Sequence, residues 1–200
     1  MKQSIVTLDM EGVLTPEIWI AVAEKTGLAE LRRTTRDEPD YDKLMRYRLE
    51  ILGRKGITLS KIQEVIGTLA PLPGAVEFLR TLREEFPVVI LSDTFEQFAA
   101  PLIRQLGQPT LFCNRLVVAA DAITGYELRQ ADQKRHAVTA LQGLNYQVIA
   151  SGDSFNDATM LAQADHAFLF RAPEALIEKF PKFPAVSEYA ELLRLIRSRR

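Results

Sequence analysis

The chain has 200 residues, with 25 Lys plus Arg and 26 Asp plus Glu, so its formal net charge is −1. This balance excludes a polycationic nucleic-acid-binding protein, because neutralising phosphates needs a clustered surplus of Lys and Arg. A hydrophobic fraction of 47% with 26% charged residues is ordinary for a globular protein and argues against wholesale disorder. The length favours one domain, or one domain with a substantial insertion.

The N-terminal sequence and the number of cysteines indicate the cellular compartment of the protein. The N-terminal apolar run is far too short for a signal peptide or a membrane span. The chain has one cysteine, Cys113, so no internal disulfide can form, which fits a reducing environment. We therefore expect a cytoplasmic protein that binds neither membranes nor nucleic acid and works as a monomer or homodimer.

Short apolar runs that meet polar residues predict the strands of a parallel sheet. Residues 4–8 meet Asp9, residues 88–91 meet Ser92 and Asp93, and residues 148–151 meet Gly152 and Asp153. Continuous runs of this kind are typical of strands buried on both faces. Residues 167–170 could form a fourth strand, and residues 110–113 with 116–118 are weaker candidates.

Helical periodicity lies between these runs. It covers residues 75–85, 98–106, 137–144 and 158–164, and Gly107 is a natural helix stop. Strands alternating with helices predict an α/β fold with a doubly wound, Rossmann-like parallel sheet. Ligands of such folds bind in the crevice at the carboxyl ends of the strands.

Residues 15–72 break this alternation. They contain helical stretches at 17–25, 42–53 and 60–69 and no convincing strand. We predict a small helical cap inserted after the first strand, over a core formed by residues 1–14 and 73–200. The alternative is that these helices only enlarge the core.

Polar residues at the predicted strand ends indicate phosphate chemistry. Carboxylates from Asp9 and Asp153 would converge there, and a divalent cation such as Mg²⁺ would relieve their repulsion. Lys134 adds a compact positive charge, and Ser92 adds a hydroxyl donor. Such a site suits a phosphoryl group, whose transfer is stabilised mainly by electrostatics.

The first polar cluster, Asp9-Met10-Glu11, suggests how the reaction proceeds. Asp9 can act as a nucleophile that forms an aspartyl-phosphate. Glu11 could protonate the leaving alcohol and then deprotonate the incoming acceptor. The alternative for Glu11 is a helix or turn cap.

The order of these clusters resembles the haloacid dehalogenase-like phosphohydrolase superfamily. Its first motif, Asp-x-Asp-x-Thr/Val, is similar to residues 9–13, which read Asp-Met-Glu-Gly-Val. Its later Ser or Thr, Lys and Gly-Asp-x-x-x-Asp motifs are similar to Ser92, Lys134 and residues 152–157. The second acid is Glu11 here, where the family generally has Asp, so the geometry between acid and phosphate must differ.

The closer resemblance is to the phosphoserine phosphatase branch. It implies Asp9, Glu11 and Asp153 as Mg²⁺ ligands, and Ser92, Asp93, Lys134 and Asn156 as substrate-binding residues. A cap Glu would bind the ammonium group of L-phosphoserine and a cap Arg its carboxylate. Glu17 and Arg48 suit these roles, with Arg46 as the competitor of Arg48 and a surface salt bridge as the plainer alternative for both.

Residues 16–20, Pro-Glu-Ile-Trp-Ile, resemble members of the branch that also transfer the phosphoryl group to homoserine. The resemblance therefore implies homoserine as a second substrate. One alternative is a phosphatase of another small phosphometabolite. The other is a phospho-accepting, receiver-like regulatory module, although receivers lack a helical insertion and accept phosphate on a later strand.

Overall fold

The strands form a seven-stranded sheet in the computed structural model, which describes residues 2–34, 37–38 and 40–200. The order is β4-β3-β2-β1-β5-β6-β7, and all neighbours are parallel except β3 and β4. The strands are β1 (Gln3–Leu8), β2 (Val88–Phe95), β3 (Thr110–Ala119), β4 (Ala122–Glu127), β5 (Tyr146–Gly152), β6 (His166–Phe170) and β7 (Ala185–Val186).

Helices connect the strands. They are α1 (Ile18–Thr26), α2 (Tyr41–Lys55), α3 (Leu59–Gly67), α4 (Ala75–Glu85), α5 (Glu96–Gln105), α6 (Gln133–Gly143), α7 (Ala158–Gln163), α8 (Glu174–Lys179) and α9 (Tyr189–Arg197). Two short 3-10 segments, Ala29–Arg32 and Phe155–Asp157, complete the described structure. None of the described helices is both long and apolar enough to cross a lipid bilayer.

Alternate residues of the central strands supply two separate apolar cores. Val6 and Leu8 pack into one core with helices α4, α5 and α9. Ile5 belongs to the other, which α6, α7 and α8 cover. The sheet is thus buried on both faces, which confirms the predicted doubly wound α/β fold.

Helices α1 to α3 lie between β1 and β2, within the predicted insertion. Trp19 of α1 and Ile62 of α3 belong to the same apolar cluster as Phe98 and Leu102 of α5. Because this cluster runs across the proposed boundary, the division into a cap of residues 15–72 and a core of residues 1–14 and 73–200 stays a prediction.

The antiparallel hairpin of β3 and β4 departs from the sequence prediction. The two weak runs form one continuous strand, and β4 was not predicted at all. The turn is Ala120-Asp121, and both residues have left-handed φ angles, 47° and 67°. Tight hairpin turns of this kind usually carry Asn-Gly or Asp-Gly, so the sequence offered no turn signal here.

Helix α4 provides a direct test of the core. Leu79 is fully buried on its inner face, whereas Val76 on the same helix is 46% exposed. We expect Leu79→Ala to lower the free energy of unfolding by about 2–5 kcal/mol, because it removes apolar contacts and leaves a cavity. Val76→Ala should change it by less than about 0.5 kcal/mol. Equilibrium denaturation in urea measures both, and equal losses would contradict the placement of this helix.

Candidate active site

Three carboxylates meet at the carboxyl ends of β1 and β5. Asp9 and Asp153 follow these two neighbouring strands, and Asp157 ends the 3-10 segment after β5. One oxygen of each carboxylate lies within 4.8 Å of the others, and all three residues are buried. Adjacent parallel strands thus bring together the first and last polar clusters of the sequence.

Lys134 at the start of α6 neutralises part of this charge. Its Nζ lies 2.8 Å from Asp9 Oδ1, 2.7 Å from Asp157 Oδ1 and 3.8 Å from Asp93 Oδ2. Burial alone would lower its pKa, but the neighbouring carboxylates, led by Asp157, raise the pKa of Lys134 well above its ordinary value. The side chain is therefore a fixed ammonium, as the sequence suggested.

The remaining negative charge is not balanced within the cluster. Burial, together with the charge of Asp157, raises the pKa of Asp9 well above its ordinary value even though Lys134 opposes the shift. Burial and the charges of Asp157 and Glu17 raise the pKa of Asp153 to about 7. Asp153 Oδ1 is buried without a hydrogen-bond donor among the described residues. These oxygens fit a hard divalent cation, which prefers carboxylate ligands.

Two glycines permit the close packing of these carboxylates. A Cβ on Gly12, whose φ is +77°, would lie 2.3 Å from Asp153 Oδ2. A Cβ on Gly152 would lie 2.4 Å from Asp157 Cγ. Both positions therefore exclude any side chain, which explains why glycine stands beside each acidic motif.

Glu11 lies at the same edge of the sheet but does not belong to the cluster of Asp9, Asp153 and Asp157. Its Oε2 accepts a hydrogen bond of 2.8 Å from the backbone N–H of Ile18, the first residue of α1. Burial, with the charge of Glu17, raises the pKa of Glu11 to about 8. The carboxyl group thus contacts the helix end that the capping alternative suggested, and its role as a metal ligand stays a prediction.

Ser92 and Asp93 lie on β2 itself, because that strand continues to Phe95. Ser92 is buried, and its Oγ accepts a hydrogen bond of 3.3 Å from Thr94 N–H. Asp93 Oδ2 accepts a hydrogen bond of 3.1 Å from Asn156 Nδ2. The contact joins the second and fourth motifs across the sheet.

Gln133 is a structural residue of the site that the sequence did not reveal. It is buried, and its Nε2 donates to Ser92 O and to Asp93 Oδ1, both at 2.9 Å. It connects the start of α6 to β2 and thereby positions both Asp93 and the adjacent Lys134. In the sequence, the one sign of this role was that a polar residue, Gln133, directly precedes Lys134.

The inserted segment contributes Glu17 and Arg48. Glu17 is exposed at the N-cap of α1, whereas Arg48 of α2 is only 6% exposed. Burial lowers the pKa of Arg48 to about 10, so the guanidinium remains charged near neutrality. Arg46 lies at the surface and pairs with Asp42 at 2.6 Å. Of the two arginines, only Arg48 reaches the cleft.

The cleft that these residues enclose has a volume of about 300 Å³. It is lined by every predicted site residue except Lys134, namely Asp9, Glu11, Glu17, Arg48, Ser92, Asp93, Asp153 and Asn156. Lys134 reaches the cleft through its contact with Asp9. The space suits a small molecule.

Comparison with known proteins gives the family. A sequence profile of haloacid dehalogenase-like hydrolases matches residues 4–165. The chain belongs to this family. The match also disfavours the receiver-like alternative, since it covers the first strand, the inserted helices and the fourth motif together.

Individual relatives agree with this assignment. The chain is 59% identical to phosphoserine phosphatase ThrH of Pseudomonas aeruginosa over 191 residues, which are 95% of this chain and 93% of the relative. It is 24% identical to the phosphoserine phosphatase of Methanocaldococcus jannaschii, over 98% of this chain and 99% of the relative. A solved phospho-aspartyl intermediate analogue of a phosphoserine phosphatase superposes with a TM-score of 0.79, at 21% identity and over 98% and 99% of the two chains. This last similarity shows the shared fold.

The cleft of this haloacid dehalogenase-like hydrolase combines two kinds of chemistry. The sheet edge offers the carboxylate of Asp9 with the ammonium of Lys134 beside it. The inserted helices offer one exposed carboxylate, Glu17, and one buried guanidinium, Arg48. A molecule that carries a phosphate as well as other charged groups matches this distribution.

The space around Gly12 yields a prediction about the cation. We expect Gly12→Ala to weaken divalent cation binding about tenfold or more, because the added methyl group would displace the Asp153 carboxylate. Gly27→Ala is the matched control, because Gly27 also has a left-handed φ of +70° but nothing lies within 4 Å of the added Cβ. It should cost about 1 kcal/mol of stability and leave cation affinity unchanged. Isothermal titration calorimetry measures both affinities, and equal losses would refute the steric argument.

Proposed function

We propose that this protein is a Mg²⁺-dependent phosphoserine phosphatase that works through an aspartyl-phosphate on Asp9 and also transfers the phosphoryl group from phosphoserine to homoserine. The observation that carries the proposal is that Arg48 and Glu17 line the same cleft as Asp9. A guanidinium and a carboxylate complement the carboxylate and the ammonium of an amino acid. The 59% identity to phosphoserine phosphatase ThrH supports the same substrate.

Asp9 supplies the nucleophilic oxygen. Its Oδ1 accepts hydrogen bonds from Met10 N–H at 2.7 Å and lies 2.8 Å from Lys134 Nζ. Oδ2 is therefore the oxygen that attacks phosphorus, while the bond from phosphorus to the serine oxygen breaks. Lys134 and the Ser92 hydroxyl stabilise the charge on the phosphoryl oxygens.

Glu11 acts as the general acid and then as the general base. A pKa raised to about 8 keeps its carboxyl group largely protonated at neutral pH, as donation to the leaving serine oxygen requires. The resulting carboxylate then takes a proton from water while the water oxygen attacks phosphorus. The bond from phosphorus to Asp9 Oδ2 breaks, and phosphate leaves. When homoserine enters first, its hydroxyl takes the place of water and phosphohomoserine leaves.

A divalent cation completes the site in this proposal. Asp9 and Asp153 would hold it, with the Asp157 carboxylate in the same cluster. When bound, Mg²⁺ supplies positive charge that offsets the phosphoryl oxygens. The unpartnered Asp153 Oδ1 is the observation that supports this donor set.

The fate of the phosphoryl group tests the chemistry. With L-phosphoserine and Mg²⁺ we expect free phosphate, and phosphohomoserine should appear only after L-homoserine is added. Asp9→Asn should reduce both products by about 10⁴-fold or more, because no aspartyl-phosphate can form. Phosphorus NMR follows both products together.

The control for this experiment is Asp165→Asn. Asp165 accepts a hydrogen bond from Val148 N–H at 2.8 Å and is not among the residues that line the cleft. It should retain both activities. Free phosphate without phosphohomoserine would refute the transfer to homoserine, and the absence of both products would refute phosphoserine as the substrate.

The two nearby arginines test substrate recognition. We expect Arg48→Ala to lower kcat/KM for phosphoserine about a hundredfold, since it removes the charge that would bind the substrate carboxylate. Arg46→Ala should change it less than about twofold, because Arg46 is exposed and paired with Asp42. Turnover of p-nitrophenyl phosphate, which has no carboxylate, should survive both changes. Equal losses on the two substrates would refute binding of the substrate carboxylate by Arg48.

A further inference from the structure

An indole ring, a backbone carbonyl oxygen and a thioether sulfur contact the guanidinium of Arg48. Its Cζ lies over the ring of Trp19, 4.5 Å from the ring centroid. Its Nη2 donates to Arg33 O at 2.7 Å, and its Nη1 lies 3.7 Å from Met45 Sδ. Among its other N–H donors, Nε–H is buried without an acceptor among the described residues.

The ring of Trp19 is held in place by packing against an aromatic side chain of α5. It is only 9% exposed, and its ring meets Phe98 of α5 edge to face at 5.3 Å. Phe98 in turn contacts Phe95, the last residue of β2, at 5.8 Å. A row of rings therefore connects the strand that carries Ser92 to the guanidinium of Arg48.

We propose that Trp19 is a positioning residue for substrate recognition: its ring holds the Arg48 guanidinium so that a donor stays free for the carboxylate of the substrate. A buried cation that stacks on an indole ring gains attraction without using its N–H groups. Hydrogen bonding to a protein carboxylate would occupy those groups. This inference rests on the proposed recognition of an amino-acid substrate.

The kinetic test compares two substrates that differ only in the carboxylate, phosphoserine and phosphoethanolamine. We expect Trp19→Leu to raise KM for phosphoserine about ten- to thirtyfold with little change in kcat, since the stacking attraction is lost. The kcat/KM for phosphoethanolamine should change less than about twofold. Trp19→Phe keeps an aromatic face and should restore most of the affinity for phosphoserine.

A double-mutant cycle with Arg48→Ala separates this role from general packing. If Trp19 acts through Arg48, adding Trp19→Leu to Arg48→Ala should cause no further loss on phosphoserine. Additive losses, or equal losses on both substrates, would overturn the proposal. Thermal denaturation of each variant identifies any that fails to fold.

A second measurement needs no substitution at Trp19. The chain contains a single tryptophan, so its fluorescence reports on this ring alone. L-serine, which carries the carboxylate, should change the emission of the wild-type protein saturably, whereas ethanolamine should not. Arg48→Lys, which keeps the charge but loses the planar guanidinium, should weaken the response. The absence of any response to L-serine would overturn the proposal.

The outcomes distinguish this inference from the proposed function. A wild-type enzyme that does not prefer phosphoserine over phosphoethanolamine refutes the substrate assignment, and the inference fails with it. A wild-type enzyme that does prefer phosphoserine, but in which Trp19→Leu leaves that preference intact, refutes the role of Trp19 alone.

Discussion

The ion pairs of the buried Lys134 ammonium are the interaction on which the rest of the site depends. Lys134 binds Asp9 and Asp157 at 2.8 and 2.7 Å, and these residues come from different elements of the fold. Taking an isolated ammonium out of water costs several kcal/mol, and so does burying each carboxylate alone. The groups can therefore stay buried only together, and their mutual attraction joins β1, α6 and the segment after β5.

One ammonium does not neutralise three clustered carboxylates, and this excess makes the site useful. The pKa of Asp153 rises to about 7, and one of its oxygens lacks any donor among the described residues. A divalent cation and the phosphate of a substrate would complete the charge balance together. Binding of these ligands relieves the electrostatic repulsion among the carboxylates, which favours binding of both.

Much of the fold could be predicted because the apolar runs are short, continuous and followed by acidic residues. The ends of elements were harder to predict, since they are determined by tertiary contacts. Helix α6 begins at Gln133 rather than residue 137, because the buried polar pair Gln133 and Lys134 belongs to its first turn. Helix α4, whose apolar residues repeat with a regular helical period, has the bounds that the sequence predicted.

The candidate site followed from the sequence to the extent that its residues lie at strand ends. Asp9 and Asp153 directly follow two neighbouring parallel strands, and Ser92 lies on a third, so the sheet topology brings them together. Arg46 and Arg48 could not be separated in this way, because both lie on one helix and only its packing decides which faces inward. The contacts of Gln133 and the stacking of Trp19 on Arg48 are likewise products of packing that no local pattern encodes.

The sheet and the inserted segment contribute different kinds of residue to the site. Residues that would handle the phosphoryl group follow the strands, whereas Glu17, Trp19 and Arg48 lie between β1 and β2. Several contacts couple the two parts: Glu11 accepts the N–H of Ile18, Trp19 packs on Phe98, and the Tyr41 hydroxyl donates to Asp93 O. None of these contacts uses the charged group of Glu17 or Arg48, so those two groups can change without breaking the ion pairs of Lys134 with Asp9 and Asp157. Such an arrangement lets one phosphoryl-transfer centre serve different small phosphate esters.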